Sequence, residues 1–175
     1  MHLSLRRWRQ QGTSQLELVV SLVLIAIFVI VLLERTLYYQ EYAEMTAMEM
    51  TVANMRSGLR YKVADLIMNN RMSEIATLAD ENPITWLSSQ PENYLGEYDS
   101  APGAVTQGKW FYDRTAHELV YTLNHWRHFV PSGGDDFTVR YRCMPIKPDQ
   151  KGDTKSANQQ TWVTLAQLQS YRWLR

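Results

Sequence analysis

The chain has 175 residues, with 18 basic and 18 acidic side chains and 45% hydrophobic residues. This even balance lacks the basic excess of nucleic-acid-binding domains, so we expect no nucleic-acid partner. Cys143 is the single cysteine, which excludes an intramolecular disulfide and a zinc site built from cysteines.

The first twelve residues, 1–12, form a basic leader. They contain no acidic residue, and their three arginines are Arg6, Arg7 and Arg9. By the positive-inside rule, such a leader stays in the cytoplasm and sets the orientation of the helix that follows. We therefore expect the C-terminal bulk of the chain to lie outside the cytoplasm.

Residues 13–36 predict a transmembrane helix. From Leu18 to Leu33 every residue except Ser21 is apolar. The segment from Thr13 to Leu33 would rise about 31 Å as a helix, close to the ~30 Å hydrocarbon core of a bilayer. A secretory signal peptide is the alternative, but its apolar region is about 7–15 residues long and ends at a small-residue cleavage site. Here the run is longer and continues into VLLERTLYY, which favours a retained helix.

Helical periodicity continues through residues 37–80. An apolar stripe recurs at steps of three, four and one residues and consists of Val52, Met55, Leu59, Val63, Leu66 and Ile67. The acidic residues before it fall mostly off the stripe: Glu41, Glu44 and Glu49. The sequence predicts one long helix from about Ser14 into the high fifties or sixties, whose second half packs on a globular domain. The expected break is NNR at 69–71, and Gly58 is a tolerated weak point that costs about 1 kcal/mol relative to alanine.

Residues 81–175 predict a β domain with a loop and about four strands. Proline, glycine, serine and asparagine in the first part indicate the loop. Lys109–Tyr112 and Leu119–Leu123, rich in aromatic and β-branched residues, predict a hairpin. FTVRYRC alternates as a third strand and TWVTLAQL predicts a fourth, although the spacing after it also fits a helix. The expected fold class is α+β, with a long N-terminal transmembrane and amphipathic helix packed on a small antiparallel β-sheet.

The stretch QGTSQLELVVSLVLIAI resembles the N-terminus of type IV pilins and of the pseudopilins of type II secretion. Those proteins have a short basic leader, a glycine, typically F-T-L-x-E, and a long apolar helix. The resemblance implies a pilin-like fold, cleavage by prepilin peptidase between Gly12 and Thr13, and methylation of the new α-amine. It also implies that Glu17 neutralises the α-amine of a neighbouring subunit, since opposite charges attract strongly in a low dielectric.

The layout GKWFYD…ELVYTL is similar to that of minor pilin-like components of MSHA-type pilus systems. Thr13 stands where the family has Phe or Met, Gln15 stands where it has Leu, and one cysteine rules out the usual C-terminal disulfide. The resemblance implies a non-catalytic minor subunit of a type IV pilus or a pseudopilus. It would be single-pass in the inner membrane, with its C-terminal domain in the periplasm. The implied partners are prepilin peptidase, other pilins or pseudopilins through the N-terminal helix, and inner-membrane lipid.

The same residues also fit an ordinary membrane anchor. Ser14-Gln15-Leu16-Glu17 matches the capping box, in which Ser14 caps the amide of Glu17 and the glutamate reaches back. An acidic residue in the first turn also suits the helix dipole. The alternative is therefore an uncleaved single-span scaffold of an envelope assembly, and a membrane-anchored periplasmic enzyme is a more distant one.

Three histidines raise the question of a metal site: His117, His125 and His128. Catalytic zinc needs three protein ligands, and the H-x-x-H pair lies where a strand is expected, so its members would point to opposite faces. We expect surface histidines, no metal and no cofactor. The chain also lacks G-x-S-x-G, P-loop and H-E-x-x-H motifs, which indicates that it is not an enzyme.

Asp135 and Asp136 lie in the turn PSGGDD and supply too few oxygen ligands for Ca²⁺, which takes six to eight. Cys143 alternates with Phe137, Val139 and Tyr141, which predicts a thiol buried on the core face.

Overall fold

The computed structural model describes residues 14–100, 107–132, 137–146 and 162–174. The chain divides into two units, residues 1–39 and 40–175. A single α-helix, α1, runs from Gln15 to Met68 and so contributes to both units.

In the first unit, α1 exposes its apolar side chains all around. No residue between Ser14 and Tyr39 is buried. The expectation of one apolar helix is confirmed, because α1 is the one helix among the described residues that is long and apolar enough to cross a membrane. A helix that is hydrophobic all round and uncovered by its own chain is compatible with a single-pass membrane protein.

In the second unit, α1 is amphipathic. The predicted stripe is confirmed, with five of its residues buried and Ile67 packed against them; the buried members are Val52, Met55, Leu59, Val63 and Leu66. The helix stops at the predicted break. Asn70 adopts a left-handed φ of 56°, its amide bonds the Ile67 carbonyl at 3.1 Å, and the Arg71 amide bonds the Leu66 carbonyl at 2.8 Å. This pair of bonds is a Schellman cap, which satisfies carbonyls that the helix end would otherwise leave open.

Gly58 has a structural reason to lie inside this helix. Two short 3-10 helices follow α1, Met72–Ala79 and Pro83–Trp86. The second passes so close to α1 that a Cβ on Gly58 would lie 2.7 Å from the Trp86 carbonyl oxygen and 2.9 Å from its Cβ. Glycine's lower helix propensity is thus offset by a close backbone approach that a Cβ at this position would obstruct.

Within the described ranges, seven strands form two sheets. The larger sheet has the order β1-β2-β3-β5-β6, comprising β1 (Tyr94–Tyr98), β2 (Lys109–Asp113), β3 (Glu118–Thr122), β5 (Thr138–Ile146) and β6 (Trp162–Gln167). The smaller one pairs β4 (Phe129–Pro131) with β7 (Tyr171–Trp173). The predicted hairpin is confirmed by β2 and β3, and the third and fourth predicted strands by β5 and β6. The helical alternative near the C-terminus is wrong, because that stretch forms β6 and β7.

The expectation of an antiparallel sheet of about four strands is wrong in its strand direction, and the larger sheet has five strands. β1 pairs with β2 in parallel, so the larger sheet is mixed. The pairing is irregular between Tyr94 and Glu97, where Gly96 takes a left-handed φ of 113°. Such a bulge breaks the alternation that marks a strand in the sequence. The fold class is α+β with a long helix.

The core lies between the buried stripe of α1 and one face of the larger sheet. Its sheet side carries large aromatic residues, and the rings of Trp110 and Tyr121 lie 4.7 Å apart. Cys143 is buried on the same face as Val139 and Tyr141, as predicted, whereas Phe137 is exposed. Burial raises the pKa of the Cys143 thiol to about 12, so this thiol stays protonated and unreactive.

Candidate functional site

The first candidate residues lie at the start of α1. Ser14 is the N-cap, and its Oγ accepts a hydrogen bond from the Glu17 amide at 3.2 Å. This is the forward half of the predicted capping box, and it satisfies one of the open amides of a helix start. The predicted processing residues Gly12 and Thr13 lie outside the described residues, as do the orienting arginines Arg6, Arg7 and Arg9.

Glu17 is exposed at this helix start. None of the described residues donates a hydrogen bond to its carboxylate, and none forms an ion pair with it. The helix dipole favours an acidic side chain there, but the attraction is only about 0.3–1 kcal/mol at an exposed site. Among the described residues, Glu17 thus has no partner that would compensate for placing a charge beside an apolar run.

The second site, near the start of the second unit, is one that the sequence did not predict. Glu41 is only 2% exposed. Its carboxylate accepts three hydrogen bonds: from the His128 amide at 2.9 Å, from the His128 ring Nδ1 at 2.7 Å, and from the Trp173 indole Nε1 at 2.9 Å. An ionised carboxylate only accepts, so this geometry places a proton on Nδ1 of His128.

Glu44, one turn further along α1, makes a parallel set of contacts. It accepts from the Tyr121 hydroxyl at 2.9 Å, from the Asn124 amide at 2.6 Å, and from the amide and ring Nδ1 of His125 at 2.9 and 2.7 Å. Together the two glutamates hold the NHWRH segment, residues 124–128, against α1. We call this arrangement the carboxylate clamp: Glu41 and Glu44 with His125, His128 and Trp173.

Electrostatics favour the ionised form of Glu41. Burial alone would raise the pKa of this carboxyl, but the hydrogen bonds from the His128 ring and amide and from the Trp173 indole outweigh it. The pKa of Glu41 therefore lies below its ordinary value. A buried carboxylate with three donors is satisfied, so the clamp fixes structure rather than supplying a reactive base.

The expectation that Glu41 and Glu44 fall off the apolar stripe is wrong. Extending the stripe toward the N-terminus from Val52 by steps of four, three and four residues passes through Met48 and Met45 and arrives at Glu41. All of these face the core, and Glu44 lies three residues from Glu41 on the adjoining side. The signal was therefore present in the sequence: a glutamate in phase with a core stripe requires donors, and histidine and tryptophan supply them.

The remaining candidate residues are dispersed. His117 is exposed in the β2–β3 turn with a left-handed φ of 53°, and its ring lies 3.5 Å from the Tyr112 hydroxyl. Asp135 and Asp136 lie outside the described residues. The His125 ring bonds the Glu44 carboxylate and the His128 ring bonds the Glu41 carboxylate. Within the described ranges, no three residues among histidine, cysteine, aspartate and glutamate converge on a point where they would hold a metal ion.

Two grooves border α1. One, of about 790 Å³, lies between α1 and the segment 86–91 and has no acidic, histidine or cysteine side chain in its lining. The other, of about 410 Å³, lies against β6 and is apolar apart from Arg56, Arg60 and Thr164. Neither groove pairs a hydroxyl side chain with a histidine or an acidic residue among the residues that line it.

Comparison with protein-family models, with curated proteins and with solved structures gives no match to this chain.

Proposed function

We propose that this chain is a non-catalytic, minor pilin-like subunit that assembles into, or primes, a type IV (MSHA-like) pilus or a type II secretion pseudopilus. One observation carries the proposal. A helix capped by Ser14 places Glu17 in its first turn and then exposes an unbroken apolar run, while the same chain folds an α+β domain from residue 40 onward. Lateral packing of such helices would bury the apolar surface that the chain itself leaves uncovered.

In this function, six residues of the N-terminal segment have specific roles. Arg6, Arg7 and Arg9 hold the leader in the cytoplasm. Prepilin peptidase cuts between Gly12 and Thr13, and the new α-amine of Thr13 pairs with Glu17 of a neighbouring subunit. This pairing would give Glu17 the partner that the described part of its own chain does not provide, and it would fix the register between helices. The domain lies in the periplasm before assembly.

A test of this role replaces Glu17 with alanine in the full chain. The host carries a type IV pilus or type II secretion assembly system, and the measurement is the fraction of the chain recovered with sheared fibres. Glu49→Ala is the matched control, because Glu49 is an exposed glutamate on the same helix, outside the apolar run. We expect Glu17→Ala to lose most of its incorporation while Glu49→Ala incorporates like the wild type. Equal incorporation of the two variants would refute the pairing.

The alternative is an uncleaved single-span scaffold of an inner-membrane assembly. The hydrogen bond from the Glu17 amide to Ser14 favours it, because a capped helix start needs no cleavage to be stable. The two functions differ in mature mass, since only the pilin-like subunit loses residues 1–12.

A further inference from the structure

Trp126 and Phe137 form an aromatic pair on the surface of the second unit. Their ring centroids lie 5.2 Å apart with planes tilted by 31°, yet the two residues are 37% and 40% exposed. Arg127 is also exposed and follows Trp126 in a turn that the Phe129 amide closes on the Trp126 carbonyl at 3.1 Å. We call Trp126, Arg127 and Phe137 the Trp126 patch.

The carboxylate clamp ties this patch to the part of α1 that begins the second unit. Glu44 binds the backbone on the N-terminal side of Trp126, and Glu41 binds it at His128, two residues beyond. Residues 124–128 are therefore fastened on both sides of Trp126 to helix residues 41–44. The patch cannot leave this end of the domain without breaking the clamp.

The clamp lies close in the chain to the apolar run. Glu41 lies eight positions after Leu33, so in any conformation their Cα atoms are at most about 29 Å apart. Between and beside them lie three exposed tyrosines: Tyr38, Tyr39 and Tyr42. Tyrosine and tryptophan are enriched at membrane–water interfaces because their rings are apolar and their tips are polar. The sequence after the apolar run thus has the composition of a membrane interface, and the clamp starts within it.

We propose that the Trp126 patch is an interfacial anchor that inserts into the headgroup region of the membrane crossed by residues 13–36. The two rings would lie at the level of the acyl–headgroup boundary. Arg127 would bind lipid phosphate, which accepts charge-assisted hydrogen bonds from a guanidinium. This inference rests on the membrane helix of the proposed function, but it concerns a separate surface. It gives the domain a fixed face toward the bilayer before assembly.

The test uses the full chain in phosphatidylcholine vesicles containing lipids brominated either just below the headgroups or near the chain ends. Bromine quenches tryptophan fluorescence only at short range. The difference in emission between the wild type and Trp126→Phe is the fluorescence of Trp126, and its quenching by each lipid reports the depth of this residue. The phenylalanine preserves an aromatic partner for Phe137. The matched control is Trp162→Phe. Trp162 is 42% exposed but lines the groove at Arg56–Ile67, about 18 Å or more further along α1 than Glu44.

We expect the shallow bromines to quench the Trp126 emission, so that Trp126→Phe loses this quenched component and Trp162→Phe retains it. Equal shallow quenching in wild type and both variants would overturn the anchor. In that case, cross-linking between copies through Arg127→Cys would identify the patch as a contact between subunits instead. The buried Cys143 thiol does not compete for the cross-linker.

A Phe28→Trp variant separates failure of the anchor from failure of the membrane helix. Phe28 lies in the exposed apolar run, so its replacement should be quenched by the deep bromines. Deep quenching at position 28 without shallow quenching at Trp126 would reject the anchor alone. Absence of both would reject the anchor together with the membrane helix on which the proposed function depends.

Discussion

The two halves of α1 each contain a glutamate where a charge is unexpected, and the two carboxylates differ in their hydrogen-bond donors. Glu41 is buried in the second half, and its own chain supplies three donors from His128 and Trp173. Glu17 is exposed at the start of the first half, and the described part of the chain gives its carboxylate no donor. Residues of the same chain thus satisfy the Glu41 carboxylate, whereas the described residues do not satisfy that of Glu17.

This difference shows how to separate a structural charge from one that acts between molecules. Burying a charged group is tolerated when hydrogen bonds replace its hydration, as at Glu41. Glu17, which begins an apolar and exposed helix, has no such replacement among the residues that the structure describes. The proposed neighbour's α-amine would supply it at Glu17. The second half of α1 should therefore respond to mutation by unfolding, and the first half by failing to assemble.

The largest effect on stability is expected at Glu41. Glu41→Ala leaves the amide of His128 and the indole of Trp173 without an acceptor in a buried site, which should lower the free energy of unfolding by about 3 kcal/mol. Denaturant unfolding of the detergent-solubilised full chain measures this. Glu49→Ala, an exposed site on the same helix, should change it by less than about 0.5 kcal/mol. Equal losses in the two variants would mean that the clamp does not stabilise the domain.

A smaller loss is expected at Gly58. Alanine improves helix propensity by about 1 kcal/mol, but its Cβ would lie 2.7 Å from the Trp86 carbonyl oxygen, which is backbone and cannot turn away. Overpacking of this kind costs about 1–3 kcal/mol, so we expect a net destabilisation of about 1 kcal/mol. Ala53→Gly is the reciprocal control at an exposed position of the same helix, where the propensity term alone applies. A Gly58→Ala protein more stable than wild type would contradict the close approach.

At the start of α1 we expect a similar free-energy cost that is confined to the first turn of the helix. Ser14→Ala removes the acceptor of the Glu17 amide, and loss of an N-cap costs about 1 kcal/mol. This corresponds to roughly fivefold faster hydrogen exchange in the first turn of α1. The unfolding midpoint of the domain should not move. A shift of that midpoint would show that the two halves of α1 do not unfold independently.

The smallest effect is a pH dependence that belongs to the second half alone. Burial would raise the pKa of Glu41, but the His128 and Trp173 hydrogen bonds hold it below its ordinary value of 4.5. The unfolded chain then binds a proton more readily than the folded one. The contribution of Glu41 is complete above the ordinary pKa and is lost as pH falls through the lowered folded value. As pH falls below about 4.5, stability should therefore decrease less steeply in Glu41→Ala than in Glu49→Ala, and identical slopes in this range would exclude the clamp as the source.

Much of the fold follows from the sequence because its signals are strong and local. Local sequence patterns alone predict several elements without distant contacts. These patterns are the apolar run, the apolar stripe of α1, the NNR break at 69–71 and the hairpin of β2 and β3. β1 escapes prediction because Gly96 and the bulge interrupt its alternation, and its parallel pairing depends on β2. β4 and β7 have three residues each, too few to show a period.

The carboxylate clamp could have been found, and the partner of Glu17 could not. Glu41 is in phase with the stripe, so continuing the period by one turn would have placed it in the core. Which donors reach it depends on the tertiary fold, since His128 and Trp173 are 87 and 132 residues away. For Glu17, the proposed partner lies on another chain, which no property of one sequence can reveal.

The identity of the mature N-terminal residue is the most direct test of whether the chain is a pilin-like subunit. The full chain would be expressed with active prepilin peptidase and, as controls, with an inactive peptidase and as Gly12→Leu, and its intact mass determined. We expect a chain that starts at Thr13 with active peptidase, and an uncut chain in both controls. A chain that keeps residues 1–12 beside a peptidase shown to cut another prepilin would contradict the pilin-like function and leave Glu17 as part of a helix cap.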